Sequence, residues 1–177
     1  MATRMYDALM ERGNHEIGNL NSIWANPFVN GAILEENVDN FTLVELTGYD
    51  EEGNVKCKQL SDITKQGFLV TTVEEEHLME GETYVDFYNA KGEIARLHRP
   101  KQDLRFETSA FELNAGAAKL VYGQVAHFDP AKKKYIISDS ASTHADYDKA
   151  TNKFEVVGID TDFGYAFDKQ TIRLMAK

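Results

Sequence analysis

The stretch ETYVDFYNAKGEIARLHRPKQDLRFETSAFEL, Glu82–Leu113, decides how the chain reads. A three-residue loop at Ala90-Lys91-Gly92, with Gly92 left-handed, predicts a β-hairpin. In that register Asn89 faces Glu93, Phe87 faces Ala95 and Val85 faces Leu97. Asp86 then falls opposite Arg96 as an attractive cross-strand pair. Val85, Phe87, Ala95 and Leu97 share one buried face, while Tyr84, Tyr88, Ile94 and His98 share the other. That second face is covered either by another layer of the same fold or by a partner protein, since aromatic residues anchor interfaces. Leu104–Leu113 reads as a third strand of the same meander, bent near Thr108-Ser109-Ala110 because the apolar phase changes there.

Period-two patterning continues on both sides of this stretch. Phe41–Leu46, Val55–Leu60, Gly67–Val73, Leu120–Phe128, Tyr135–Ser138, Phe154–Ile159, Phe163–Phe167 and Thr171–Met175 read as strands separated by polar turns. Glu74–Gly81 reads as a short helix ending on glycine. No strand–helix alternation is present, which disfavours a nucleotide-binding α/β fold. The expectation is an all-β, mainly antiparallel sandwich or barrel over residues 38–177. Tyr49-Asp50, Phe128-Asp129 and Tyr147-Asp148 each open a polar turn that returns through Lys56, Lys134 or Lys153. Aspartate favours turn starts, so this reads as shared hairpin chemistry, not a structural repeat.

Residues 1–37 read differently, as an extended and partly helical N-terminal arm. Met5, Tyr6, Leu9 and Met10 have helical spacing ending at Gly13-Asn14. Beyond them Ile17, Leu20, Ile23, Trp24 and Phe28 recur among helix breakers. An irregular apolar segment must lie on its own domain or on another protein.

Composition bounds the function. A net charge of −10 over 177 residues repels phosphate backbones, so nucleic acid is not an expected partner. Cys57 is the single cysteine, so no intrachain disulfide forms. It alternates with Lys56 and Lys58 and reads as a core residue between solvated lysines. No signal peptide or membrane-spanning run is apparent. The histidines stand singly, without metal-ligand spacing. Ser138–Ser142 lacks the glycine-flanked elbow of a hydrolase, and no phosphate-binding glycine loop is present. The expectation is a protein without cofactor or metal that is not an enzyme.

Gly67–Glu75, Asp86–Arg96 and Phe106–Phe111 together resemble the decoration, or cement, proteins of tailed-bacteriophage heads. The resemblance implies a β-rich virion structural protein that binds and stabilises the assembled capsid shell. It implies the major capsid protein as partner and residence on the outer capsid surface after synthesis in the host cytoplasm, and it leaves room for monomers as well as for self-association as a homo-oligomer. Met5, Tyr6, Leu9, Trp24, Phe28 and Tyr88 are the candidate partner-binding residues. The alternatives are a phage tail protein and a small ligand-binding barrel or enzyme.

Overall fold

A computed structural model describes residues 15–160 and 169–177, apart from residues 29 and 79. The helix expected around Met5–Met10 and the strand expected at Phe163–Phe167 lie outside the described residues, as do Met5, Tyr6 and Leu9 themselves. Described regular structure is nearly all β: fourteen strands in two seven-stranded mixed sheets, with two short 3-10 turns at Glu74–Glu76 and Tyr84–Asp86. The helix expected over Glu74–Gly81 is only the first of these turns.

One sheet is built from β2 (Asn26–Pro27), β3 (Ala32–Leu34), β4 (Leu43–Tyr49), β5 (Val55–Gln59), β6 (Phe68–Val70), β7 (Ile94–Ala95) and β8 (Leu97–Arg99). β7 and β8 are one extended run interrupted only at Arg96. β7 pairs with β3 and β8 with β6, and Thr71 N donates to Arg96 O at 2.8 Å between them. The two ends of the sheet therefore meet, and its pairings close a ring. Inside it lie Ala32, Leu34, Val44, Cys57, Phe68, Val70, Ala95 and Leu97.

The other sheet repeats this plan with different strands. It holds β1 (Gly18–Leu20), β9 (Arg105–Thr108), β10 (Phe111–Leu113), β11 (Val125–Asp129), β12 (Lys134–Ser138), β13 (Lys153–Asp160) and β14 (Thr171–Ala176). β9 and β10 are consecutive, β9 pairs with β14, and β10 pairs with β12. Because β9 and β10 are one run broken only at Ser109-Ala110, with Tyr135 N donating to Ala110 O at 2.8 Å, the pairings of this sheet also close a ring, and Phe106 of β9 lies 5.6 Å from the Tyr135 ring of β12.

Strand order is the same in both rings. The first strand runs parallel to the third (β3 with β5; β10 with β12). The third pairs with the second, the second with the fourth, the fourth with the fifth, and the fifth with the first, all antiparallel. The Asp50 turn joins β4 to β5 and the Asp129 turn joins β11 to β12, which are equivalent positions. Asp50 Oδ1 accepts from the amides of Glu52 and Asn54, and Asp129 Oδ1 from those of Ala131 and Lys132. Two of the three aspartate turns thus mark a repeat of topology, against the expectation of shared hairpin chemistry alone. The third, at Asp148, leads into β13; the equivalent connection, into β6, has its aspartate turn at Asp62, whose Oδ1 accepts from Thr64 N at 2.8 Å.

The rings pack together. Phe41, Leu43, Leu60 and Leu69, from the first ring and its flanks, join one buried cluster with Phe106, Phe128, Tyr135, Phe154, Ile172 and Leu174 of the second.

The hairpin expected at residues 84–97 forms only at its turn. Gly92 has φ +87°, and Glu93 N donates to Ala90 O at 3.1 Å. Its arms do not pair with each other: Asn89 bridges to Val38, and Ala95 pairs with Ala32. Thr83 and Asp86 explain part of this. The Asp86 carboxylate accepts from Thr83 N at 3.0 Å and Thr83 Oγ1 at 2.9 Å, a reciprocal cap that winds Tyr84–Asp86 into a turn. Asp86 thereby finds its partner locally instead of at Arg96. The third strand of the expected meander, β9–β10, belongs to the other sheet.

Candidate functional site

β1, β2 and β3 all lie within the span read as an arm. β1 pairs with β9 in one sheet, and β2 pairs with β8 in the other. Between β1 and β2 the chain crosses from sheet to sheet through Asn21–Ala25. The base of this crossing is fixed. Arg105 O accepts from Asn21 N at 3.0 Å and from Ser22 N at 3.1 Å, and Arg105 N donates to Ser22 Oγ at 2.7 Å. Ala25 packs on the shared core. From this anchored base two large apolar side chains stand in solvent, Ile23 at 94 % and Trp24 at 90 % exposure. Fully burying such a side chain is worth about 1.5–3 kcal/mol, and here that gain is left unused.

The other described candidates are placed elsewhere. Phe28 is half-buried: its amide donates to Leu97 O at 2.8 Å, and its ring meets Phe68 edge-on at 5.5 Å. It plugs its own ring of strands. Tyr88 is 1 % exposed and lies 4.9 Å from the His15 ring, so it is a core residue and not part of an outer face. His98, expected beside it, is also buried, with Nδ1 2.6 Å from Thr71 Oγ1. Of that expected face only Ile94 is largely exposed. The phase error follows from the hairpin: without Phe87–Ala95 pairing, Tyr88 is free to turn inward.

Next to the crossing, on the edge of β1 away from β9, lies a cavity of about 310 Å³. Ile17–Leu20 form one wall and Thr71–Glu74 the other, with Phe41, Tyr84 and Arg96 completing it. Phe41 has φ +56°, a costly conformation for an aromatic residue. Its ring lies so close to Gly18 that a Cβ there would meet Phe41 Cδ2 at 2.5 Å. Glu74 is nearly buried, and its Oε1 accepts from Asn40 Nδ2 at 3.0 Å. Asn40 also closes the main chain of Thr72, donating to its carbonyl at 2.8 Å and accepting from its amide at 3.1 Å.

Among the described residues no cluster of three or more His, Cys, Asp or Glu side chains is arranged to hold a metal. Cys57 is buried inside its ring and burial pushes its thiol up to about 12, away from nucleophilic use. His127 and His144 stack at 5.1 Å with Tyr147 beside them, but among the described residues no hydroxyl or thiol nucleophile is hydrogen-bonded to either imidazole. The two features that stand out are the anchored apolar tip at Ile23–Trp24 and, beside it, the edge of β1, which among the described strands pairs only with β9.

A family model described as YonC prophage protein matches residues 11–177. The chain belongs to that family. It is also 45 % identical, over 98 % of its length and 97 % of the relative's, to the SPbeta prophage-derived uncharacterized protein YonC of Bacillus subtilis (strain 168). No solved structure matches it. Prophage origin agrees with the phage side of the resemblance drawn from the sequence.

Proposed function

We propose that the protein is a non-enzymatic virion structural protein that binds the assembled capsid shell and stabilises it, with Ile23 and Trp24 as its anchor. The observation that supports this reading is the tip itself: two adjacent apolar side chains held nine-tenths exposed on a hydrogen-bonded base. An anchor fixed before contact loses little conformational entropy on docking. A ligand that binds only the finished shell lowers its free energy relative to loose subunits, and repeated weak contacts add through multivalency.

The test is co-sedimentation of the purified chain with phage heads. Ile23 and Trp24 touch little of their own fold, so the I23S/W24S double variant should melt with the wild type. The wild type is expected to pellet with heads to a saturating ratio, and the double variant to stay in the supernatant. Equal pelleting of the two, or binding of the wild type to isolated tails and not to heads, overturns the reading.

A further inference from the structure

We propose that the slot between β1 and Thr71–Glu74 receives an extended segment of another polypeptide by strand addition. Ile17 O accepts from Ser109 N, and Asn21 N donates to Arg105 O, so the odd-numbered residues of this run face β9. In an antiparallel strand the main-chain groups alternate sides. The N–H and C=O of Gly18 and Leu20 therefore point away from β9, into the slot. Such an edge is a template for an incoming strand.

The slot has the dimensions for this. Its walls are two runs of four consecutive residues, so it is about 10 Å long, and its volume is about 310 Å³. The wall at Thr72 offers no competing main-chain pairing, since Asn40 occupies that amide and carbonyl. Hydrogen bonds to the guest come from β1, and Val73, Ile17, Leu20 and the strained Phe41 give an apolar seat for one of its side chains. Glu74 lines the same slot in a chain of net charge −10. The guest is therefore an extended segment with an apolar residue for that seat, and the net charge of −10 disfavours an acidic one. The slot adjoins the Ile23–Trp24 tip through β1, so one partner surface can meet both, but the slot's occupancy does not depend on that partner being a capsid.

The experiment selects peptides from a random display library on the immobilised full-length chain, then follows amide hydrogen exchange with an enriched synthetic peptide bound. Protection is expected at Gly18 and Leu20, with Asn19 unchanged because it already faces β9. Leu20→Pro removes an outward donor and spares every bond to β9, and Val73→Trp fills the slot. Both are expected to abolish peptide binding, and the second covers the case where the first disturbs the fold. Peptides that bind both variants like the wild type, protection elsewhere, or no enrichment at all would overturn the proposal. Protection of Gly18 and Leu20 in a chain that ignores phage heads would keep the slot and sink the capsid reading; head binding without protection would do the reverse.

Discussion

At the scale of the residue, burial decides what each side chain does, and single-residue chemistry was the least legible part of the sequence. Cys57 was readable, because flanking lysines in a strand imply an inward thiol; Lys56 indeed reaches Glu35 at 2.7 Å outside the ring. Tyr88 was not, because its orientation follows from a pairing between distant segments. His127 gave no signal at all. It is 1 % exposed beneath the loop that carries His144, Asp146 and Tyr147, and among the described residues its Nδ1 has no hydrogen-bond partner. Burial, then the neighbouring His144, pull its pKa from 6.5 down to about 4, against the opposing carboxylates of Asp129 and Asp146. Lys153 faces it across β13. The unfolded chain takes up the proton first as pH falls. The contribution is therefore complete above about pH 6.5 and is lost as pH drops toward 4, by at most about 3 kcal/mol. Burial lowers the pKa of His98 too, so part of the slope has a second source. Melting temperature recorded against pH should fall across that window, and His127→Phe should flatten the fall. Parallel profiles for variant and wild type would remove His127 from the account.

At the scale of the element, turns were legible and partners were not. Gly92, Asp50 and Asp129 sit in turns where local chemistry put them, since an Asx turn or a left-handed glycine needs no distant contact. The strands that leave those turns choose neighbours by long-range competition, which explains why the Gly92 turn is present while its hairpin is not. β1 is the sharpest case: GNL carries almost no strand signal, and its place is set by close approach. A Cβ at Gly18 would lie 2.2 Å from Glu107 O and 2.5 Å from the Phe41 ring. The first of these is main chain and cannot rotate away. Gly18→Ala should therefore cost about 1–3 kcal/mol in denaturant titration, and it should also widen the slot that β1 borders. Unchanged stability would mean that β1 moves freely on its neighbours and is no fixed wall.

At the scale of the whole molecule, the β class was visible in the period-two patterning, but the two matching rings were not. Each ring needs a strand that changes partner midway, at Arg96 in one and Ser109-Ala110 in the other, and no local pattern announces a change of partner. The bend suspected near Thr108–Ala110 was the trace of one of them. The shared core makes a mechanical prediction about the pair. Leu69 belongs to β6 of the first ring, is fully buried, and lies in the cluster with Phe106, Tyr135 and Phe154 of the second. Leu69→Ala should cost about 2–5 kcal/mol, and because its cavity opens between the rings, both should lose stability together. Two probes separate them: alkylation of Cys57 reports the first ring, and the part of the near-ultraviolet tyrosine signal that Tyr135→Phe removes reports the second. Trp24 fluorescence serves neither, being solvent-exposed already in the fold. In wild type and variant alike the two probes should follow one denaturant transition with a common midpoint. Cys57 that becomes reactive while the tyrosine signal persists would show rings that unfold separately, and the cluster between them would then be contact without coupling.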